Sequence, residues 1–527
     1  MGLARSGISA RHTETVNGYL RRLATTGAAY TASSVLSKLF AVALLPIYTR
    51  HVSPSQFGAA EVLTVAVIAT AIVFRLGLIE ALLRFYYKSG EDPERVVKTA
   101  FAALLVASIV GVAVAMPFAD QISQALLNQS QPGLTRIAIG GLGVFILYEL
   151  MLTLYRLDER PWPYFVYTVG NVLLTIPVTV WLVVFEDKGA NGLLIGQFGV
   201  GGVILLGLLV AQRQRLALVP DRAVLRRMVR FGLPTMPAEL SLYSLSFIDR
   251  IIIVHLAGLG KAGLYAIAVK FAQAVQVVVR GFQLAYPPLA YSIKDDGEAA
   301  RVYALVLSWF LAICSFIVVG MWLFSRQIVD LLAAPQYFQA HEAVGLISTG
   351  VMLYALYFVL VVVIGRTGRT EYSFPATVAG TIVNIILNLV LVPPLGIVGA
   401  GLALVASYLV LLGVMYVFSQ RLFPVSYEWG RVSQVAAIAI AVTLAGELLL
   451  PTEGIAAWLT RGAALAAYPL LLWVTRFPRP DEREAIKELM RPGALAERLR
   501  AARAAPASAT SAVPEAFEQE IRDEDRL

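Results

Sequence analysis

Between residues 26 and 476 nearly every stretch is either an apolar run of helix-spanning length or a short polar turn. A bilayer core takes roughly 20 mostly apolar residues per helical crossing. The pattern predicts about fourteen crossings, near 26–49, 57–84, 97–117, 134–155, 162–185, 190–211, 232–254, 262–289, 302–325, 342–365, 373–394, 397–419, 432–450 and 455–475. Only 15% of residues are charged and the mean hydropathy is +0.71, against roughly a quarter charged in soluble domains. No separate soluble domain is left to house an active site. The single cysteine, Cys314, excludes a disulfide or a cysteine-based metal site within the chain.

Loop charge sets the orientation. Arg5, Arg11, Arg21 and Arg22 precede the first span, and basic residues collect on the cytoplasmic side. Even-numbered turns carry Lys88, Arg95 and Lys98, then Arg156 and Arg160, Lys294 and Arg301, Arg366 and Arg369, Arg421 and Arg431. Odd-numbered turns carry isolated charges such as Arg50, Lys188, Lys261 and Arg326. Both termini are therefore expected in the cytoplasm, in a multi-pass cell (inner) membrane protein. The arginines read as topology signals and anionic-lipid contacts rather than nucleic-acid contacts.

The basic segment 212–231 divides two similar plans. Thr49-Arg50-His51-Val52 closes span one and Gly58 opens span two; Ile253-Val254-His255-Leu256 closes span seven and Gly263 opens span eight, 205 residues on from Gly58. Gly189-Ala190-Asn191-Gly192 between spans five and six answers Gly396-Ile397-Val398-Gly399 between spans eleven and twelve. Six spans per half place both halves the same way up, so the repeat is parallel and a pathway is expected between the halves. The expected organisation is an N-terminal tail (1–25), a six-helix bundle (26–211), a basic linker (212–231), a second six-helix bundle (232–420), two additional helices (421–476) and a partly disordered cytoplasmic tail (477–527).

Several motifs carry a family resemblance. They are Leu45-Pro46-Ile47-Tyr48-Thr49-Arg50 followed by Gln56-Phe57-Gly58, then Phe231-Gly232-Leu233-Pro234, Ile248-Asp249-Arg250-Ile251, Gly263-Leu264-Tyr265, and Asn384-Ile385-Ile386-Leu387-Asn388 leading to Gly396. Over about residues 20–475 the chain resembles the polysaccharide (O-antigen-type) flippases of the multidrug/oligosaccharidyl-lipid/polysaccharide (MOP) exporter superfamily. That resemblance implies an all-α, V-shaped pair of bundles, alternating access, and movement of a polyprenyl-diphosphate-linked saccharide to the outer leaflet. Polysaccharide polymerases and glycosyltransferases are the partners it implies.

Charges inside hydrocarbon are costly and usually face a cavity or a partner. Lys38 lies about 18 Å along span one and Lys270 about 12 Å into span eight, at 1.5 Å per residue. Tyr265, Gln273, Gln276, Arg280 and Gln283 share one face with Lys270. Lys38, Arg75, Lys270 and Arg280 are the candidate cationic site for a diphosphate or an acidic sugar. Glu80, Glu149, Glu239 and Asp249 are candidates for a coupling proton or sodium ion, with plain counter-charge as the alternative. Glu80 and Arg84 are four apart and suited to pair, while Arg75 points away from them unless Gly77 distorts the helix. Asp249 and Arg250 diverge by about 100° and are not expected to pair with each other. No cofactor or metal is implied: the chain has no phosphate-binding glycine loop and no His-Glu-x-x-His helix. A membrane enzyme of polysaccharide assembly is less favoured, because the outward turns are short and chemically plain. A cation-coupled multidrug exporter of the same superfamily remains the alternative and would favour acids over bases in the cleft.

Overall fold

The computed structural model describes residues 35, 36, 38, 40–87 and 91–489. The expected tail 1–25, the first part of span one and most of the tail 477–527 lie outside the described residues. "Inner" and "outer" below follow the loop-charge orientation.

The described chain is helical throughout. In the first half α1 (Leu45–His51) is followed by α2 (Pro54–Arg75), α3 (Leu78–Tyr86), α4 (Pro93–Ala115), α5 (Ala119–Leu127), α6 (Pro132–Leu157), α7 (Pro161–Val180), α8 (Gly189–Leu194) and α9 (Val200–Ala211). A linker helix, α10 (Arg222–Gly232), leads to α11 (Met236–Ser292), α12 (Asp296–Leu332), α13 (His341–Gly365), α14 (Ser373–Leu422), α15 (Trp429–Leu449), α16 (Gly454–Val474) and α17 (Pro480–Leu489). Eleven helical segments among the described residues are long and apolar enough to cross a membrane.

Two of those segments fold back on themselves. Gly258 breaks α11 at φ 87°, ψ 165°. The Tyr265 hydroxyl donates to Asp249 at 2.5 Å across that break, whereas sixteen residues of straight helix span about 24 Å. Gly396 breaks α14 at φ 56°, bringing Gly399 against the Leu391 carbonyl. The sequence expectation of separate spans seven and eight, and eleven and twelve, thus corresponds to two tight helical hairpins. Glycine supplies a backbone conformation that L side chains rarely adopt. Gly189 also has a positive φ, of 48°.

Local chemistry sets the helix ends. Ser53 caps α2 in a reciprocal capping box with Gln56, and Pro54 occupies the first turn. Asp92 and Asp295 cap α4 and α12. Span two departs from the expected continuous 57–84. Leu76 and Gly77 are both left-handed, at φ 51° and φ 67°, and divide it into α2 and α3. The break admits the linker: the backbones of Gly77 and Gly232 pack so closely that neither has room for a Cβ.

The halves meet most extensively along α2 and α11. Their crossing lies at Gly58 and Gly263, where a side chain on either residue would strike the opposing backbone; small residues permit such approach between membrane helices. Further toward the outer face, Thr49 Oγ1 accepts from the Ala334 amide at 2.9 Å. Gln336 donates to the Thr49 carbonyl at 2.7 Å, and Tyr337 donates to the Val52 carbonyl at 2.9 Å. These bonds tie the end of α1 to the α12–α13 connection. His51 and His255 each donate from Nδ1 to the carbonyl four residues back, at 3.0 and 2.9 Å. In the two added helices, the Arg461 guanidinium is buried and pairs with Glu447 at 2.9 Å, which accommodates a charge in an apolar span.

Candidate functional site

A cavity of about 420 Å³ lies between the halves. Arg75 at the end of α2 and Glu149 of α6 reach it from the first half. Glu239, Asp249, Gln276 and Arg280 of α11 reach it from the second, with Tyr354 of α13 and Tyr408 of α14.

Its organising contact is a buried guanidinium between two carboxylates. Arg75 donates from Nη1 to Glu149 and from Nη2 to Glu239 at 2.9 Å. The break at Leu76 and Gly77 ends α2 just beyond Arg75, and Arg75 joins an acid from each half. Glu149 and Glu239 retain about a third of their side-chain exposure while Arg75 is almost fully buried. The acids are the more exposed members of the triad and the base the most buried.

The remaining candidates fall around this triad. Lys38 donates to Gln276 Oε1 at 2.6 Å, joining the first span to the cavity wall. Arg280 is exposed and donates to Gln283 at 3.2 Å. Asp249 is buried and receives the Tyr265 hydroxyl on one oxygen, while Oδ1 has no hydrogen-bond partner. Asp249 and Arg250 do not bond to each other among the described residues. The Arg84 guanidinium sits 4.5 Å above the Phe231 ring. Glu80 is half-buried on α3 and Gln273 half-buried on α11; neither lines this cavity.

Lys270 corrects the expectation of one cationic set. It lines a second cavity, of about 280 Å³, formed largely by first-half residues that include Tyr48, Glu61, Asn171, Thr175 and Gln197. Its ammonium pairs with Glu61 at 2.7 Å and lies 5.6 Å from the Phe57 ring centroid. The polar stripe on α11 is therefore divided among partners: Tyr265 with Asp249, Lys270 with Glu61, Gln276 with Lys38. The central lining is also less basic than expected, with Arg75 and Arg280 facing Glu149, Glu239 and Asp249.

Glu61 was absent from the sequence candidates. The signal was present, since it is a carboxylate three residues beyond Gly58 within an apolar span. Asn171 and Gln197 carried no comparable signal, because uncharged amides are common between membrane helices.

The fold is that of the MOP superfamily. It superposes on the lipid II flippase MurJ in an inward closed conformation with a TM-score of 0.68 at 13% identity, covering 86% of this chain and 98% of that one. It superposes on an inward-facing multidrug resistance MATE family transporter with a TM-score of 0.62 at 16% identity, covering 76% and 96%. A family profile described as "Polysaccharide biosynthesis protein" matches residues 47–342. The chain belongs to that polysaccharide biosynthesis protein family. Among curated relatives, a probable multidrug resistance protein NorM of Bacillus anthracis is 28% identical over 195 residues, 35% of this chain and 43% of the relative. An uncharacterized membrane protein of Methanocaldococcus jannaschii is 23% identical over 195 residues, 36% of this chain and 38% of the relative. The chain thus spans less than half the length of these two relatives.

Proposed function

We propose that this protein is a flippase that carries a polyprenyl-diphosphate-linked saccharide from the inner to the outer leaflet of the cell membrane by alternating access. The observation that carries this reading is the Arg75 guanidinium held between Glu149 and Glu239 in a cavity between the halves. A diphosphate is a strong acceptor for charge-assisted bonds from arginine. Two carboxylates hold that arginine, so an arriving anion must displace one of them or find it protonated. Cargo binding is then linked to loss of a contact between the halves. Arg280 and Lys38 supply further positive charge beside the cavity, and Tyr354 and Tyr408 supply faces suited to sugars. Asp249, with an unpartnered oxygen, and the two glutamates are the groups for a coupling proton or sodium ion. Family membership and the MurJ-like fold support the reading. Polymerases and glycosyltransferases are its expected partners.

Cation-coupled multidrug export is the second reading. It draws on the three carboxylates against two arginines in the central lining and on the relatives of the NorM type.

The test is translocation of a labelled polyprenyl-diphosphate oligosaccharide in proteoliposomes, with Lys38→Gln and Arg280→Gln variants alongside. Transport by the native protein that falls at least tenfold in folded variants supports the flippase and its site. Failure to move any lipid-linked saccharide, with efflux of a cationic dye instead, favours drug export.

A further inference from the structure

A second surface has a distinct chemistry. An apolar groove of about 490 Å³ lies at the inner end of the first half, where α2 breaks into α3 and the linker helix α10 passes by. Val73, Leu76, Val106, Val110, Leu225 and Val229 are among its walls. Val73, Leu76, Val106 and Val110 are 36–49% exposed, so the groove opens outward rather than into the core. On a helix bundle of this hydropathy that direction is toward lipid.

α10 borders the groove with charge. Val224, Met228 and Gly232 are buried against the bundle, and Leu225 and Val229 face the groove. Arg222, Arg226 and Arg230 form an exposed stripe at four-residue spacing. At 100° per residue, Arg222 and Arg226 lie within about 60° of Val229, directly beside the apolar wall. None of the three has a carboxylate partner among the described residues, whereas their neighbours do: Arg227 pairs with Glu91 at 2.9 Å, and Arg95 with Asp221.

We propose that this groove and the Arg222–Arg226–Arg230 stripe form a binding site for an anionic phospholipid, with an acyl chain along the valines and the phosphate on the arginines. Charge complementarity selects the headgroup, because each arginine near an anionic leaflet adds to the attraction. The groove selects a chain rather than a soluble phosphate. An occupant would press on Leu76 and on α10, whose Gly232 packs against Gly77. It would therefore brace the break that ends α2 just beyond Arg75.

The experiment is native mass spectrometry of the full chain with phosphatidylglycerol and phosphatidylcholine at equal concentration, repeated with undecaprenyl phosphate as competitor. The native protein should retain phosphatidylglycerol with roughly tenfold or greater preference. The exposed substitutions Arg222→Gln, Arg226→Gln and Arg230→Gln together should bring the two lipids to parity in a monodisperse, fully helical protein. Ala107→Trp, which fills the groove and leaves the arginines in place, should reduce retention of phosphatidylglycerol at least fivefold. Parity in the native protein overturns the proposal, as does a preference that survives the triple substitution or full retention in Ala107→Trp. Displacement by an equal concentration of undecaprenyl phosphate also overturns it, reassigning the groove to the carrier lipid.

Discussion

Gly58 and Gly263 lie backbone against backbone, and their missing side chains set the crossing of α2 with α11. The two helices meet at this point with no side chain between them. The hydrogen bonds from Gln336 and Tyr337 to the end of α1 lie further toward the outer face. In the proposed alternating access, opening toward the outside has to part these contacts. Each is individually small: a net hydrogen bond is worth about 1 kcal/mol.

Gly263→Ala tests the crossing. A Cβ there meets the Pro54 carbonyl, a backbone atom that cannot rotate away. The helices must separate or strain, at a cost of about 1–3 kcal/mol. A lowered Tm in detergent is expected, together with greater labelling of outer-facing cysteines placed in the cavity. An unchanged Tm and labelling pattern would show that the crossing has slack.

The Glu61–Lys270 pair should behave as a coupled unit. Both side chains are about a quarter exposed or less, so removing one leaves a half-buried charge with reduced solvation. Glu61→Gln and Lys270→Gln should each destabilise, and the double variant should cost less than their sum. A coupling of roughly 0.5–3 kcal/mol is expected from the thermodynamic cycle. Strict additivity would mean that the two charges are solvated independently.

Arg75→Gln should be among the most disruptive substitutions in the cavity. It leaves Glu149 and Glu239 without their shared counter-charge, a change that costs about 3–5 kcal/mol when the pair is buried; their partial exposure lowers that figure here. Adding Glu239→Gln should restore part of the stability, read as Tm, without restoring transport. Stability restored together with transport would remove Arg75 from the site.

Asp221 gives a pH signature outside the membrane. It caps α10 by accepting from the Val224 and Ala223 amides and also pairs with Arg95. The Val224 amide first, then Arg95, hold its carboxyl below the usual carboxylate range. A lowered folded value means the contribution is present above the ordinary pKa of about 3.9 and disappears as the pH falls below it. Hydrogen exchange across Arg222–Gly232, corrected for intrinsic rate, should stay protected down to about pH 4 and loosen below. Asp221→Ala should show the loosened pattern already at neutral pH. A native profile that loosens near pH 6 would point to another group.

Much of the architecture was legible along the chain. Apolar runs mark helices because hydrocarbon demands internally satisfied backbone, and the runs near 134–155, 342–365 and 455–475 match observed helices to within a few residues. The glycines singled out at 58, 189, 263 and 396 all occupy positions where a close approach or a left-handed backbone requires them. The candidate site was legible only in part. The in-span charges Arg75, Glu149, Glu239, Asp249 and Arg280 do line one cavity, because a costly charge must find a partner or water. The same rule applied to Glu61 would have paired Lys270 away from them.

Spacing along a helix names the face a residue occupies and says nothing of what that face meets. The break at Leu76 and Gly77, which ends α2 just beyond Arg75, comes with the close approach of Gly232, a residue more than 150 positions away. The apolar runs and the charges within them already make this chain a helical membrane protein with charges to conceal. Which charges meet was decided only in the tertiary structure, because partners such as Lys38 and Gln276 are brought together by helix packing across the halves and share no local pattern.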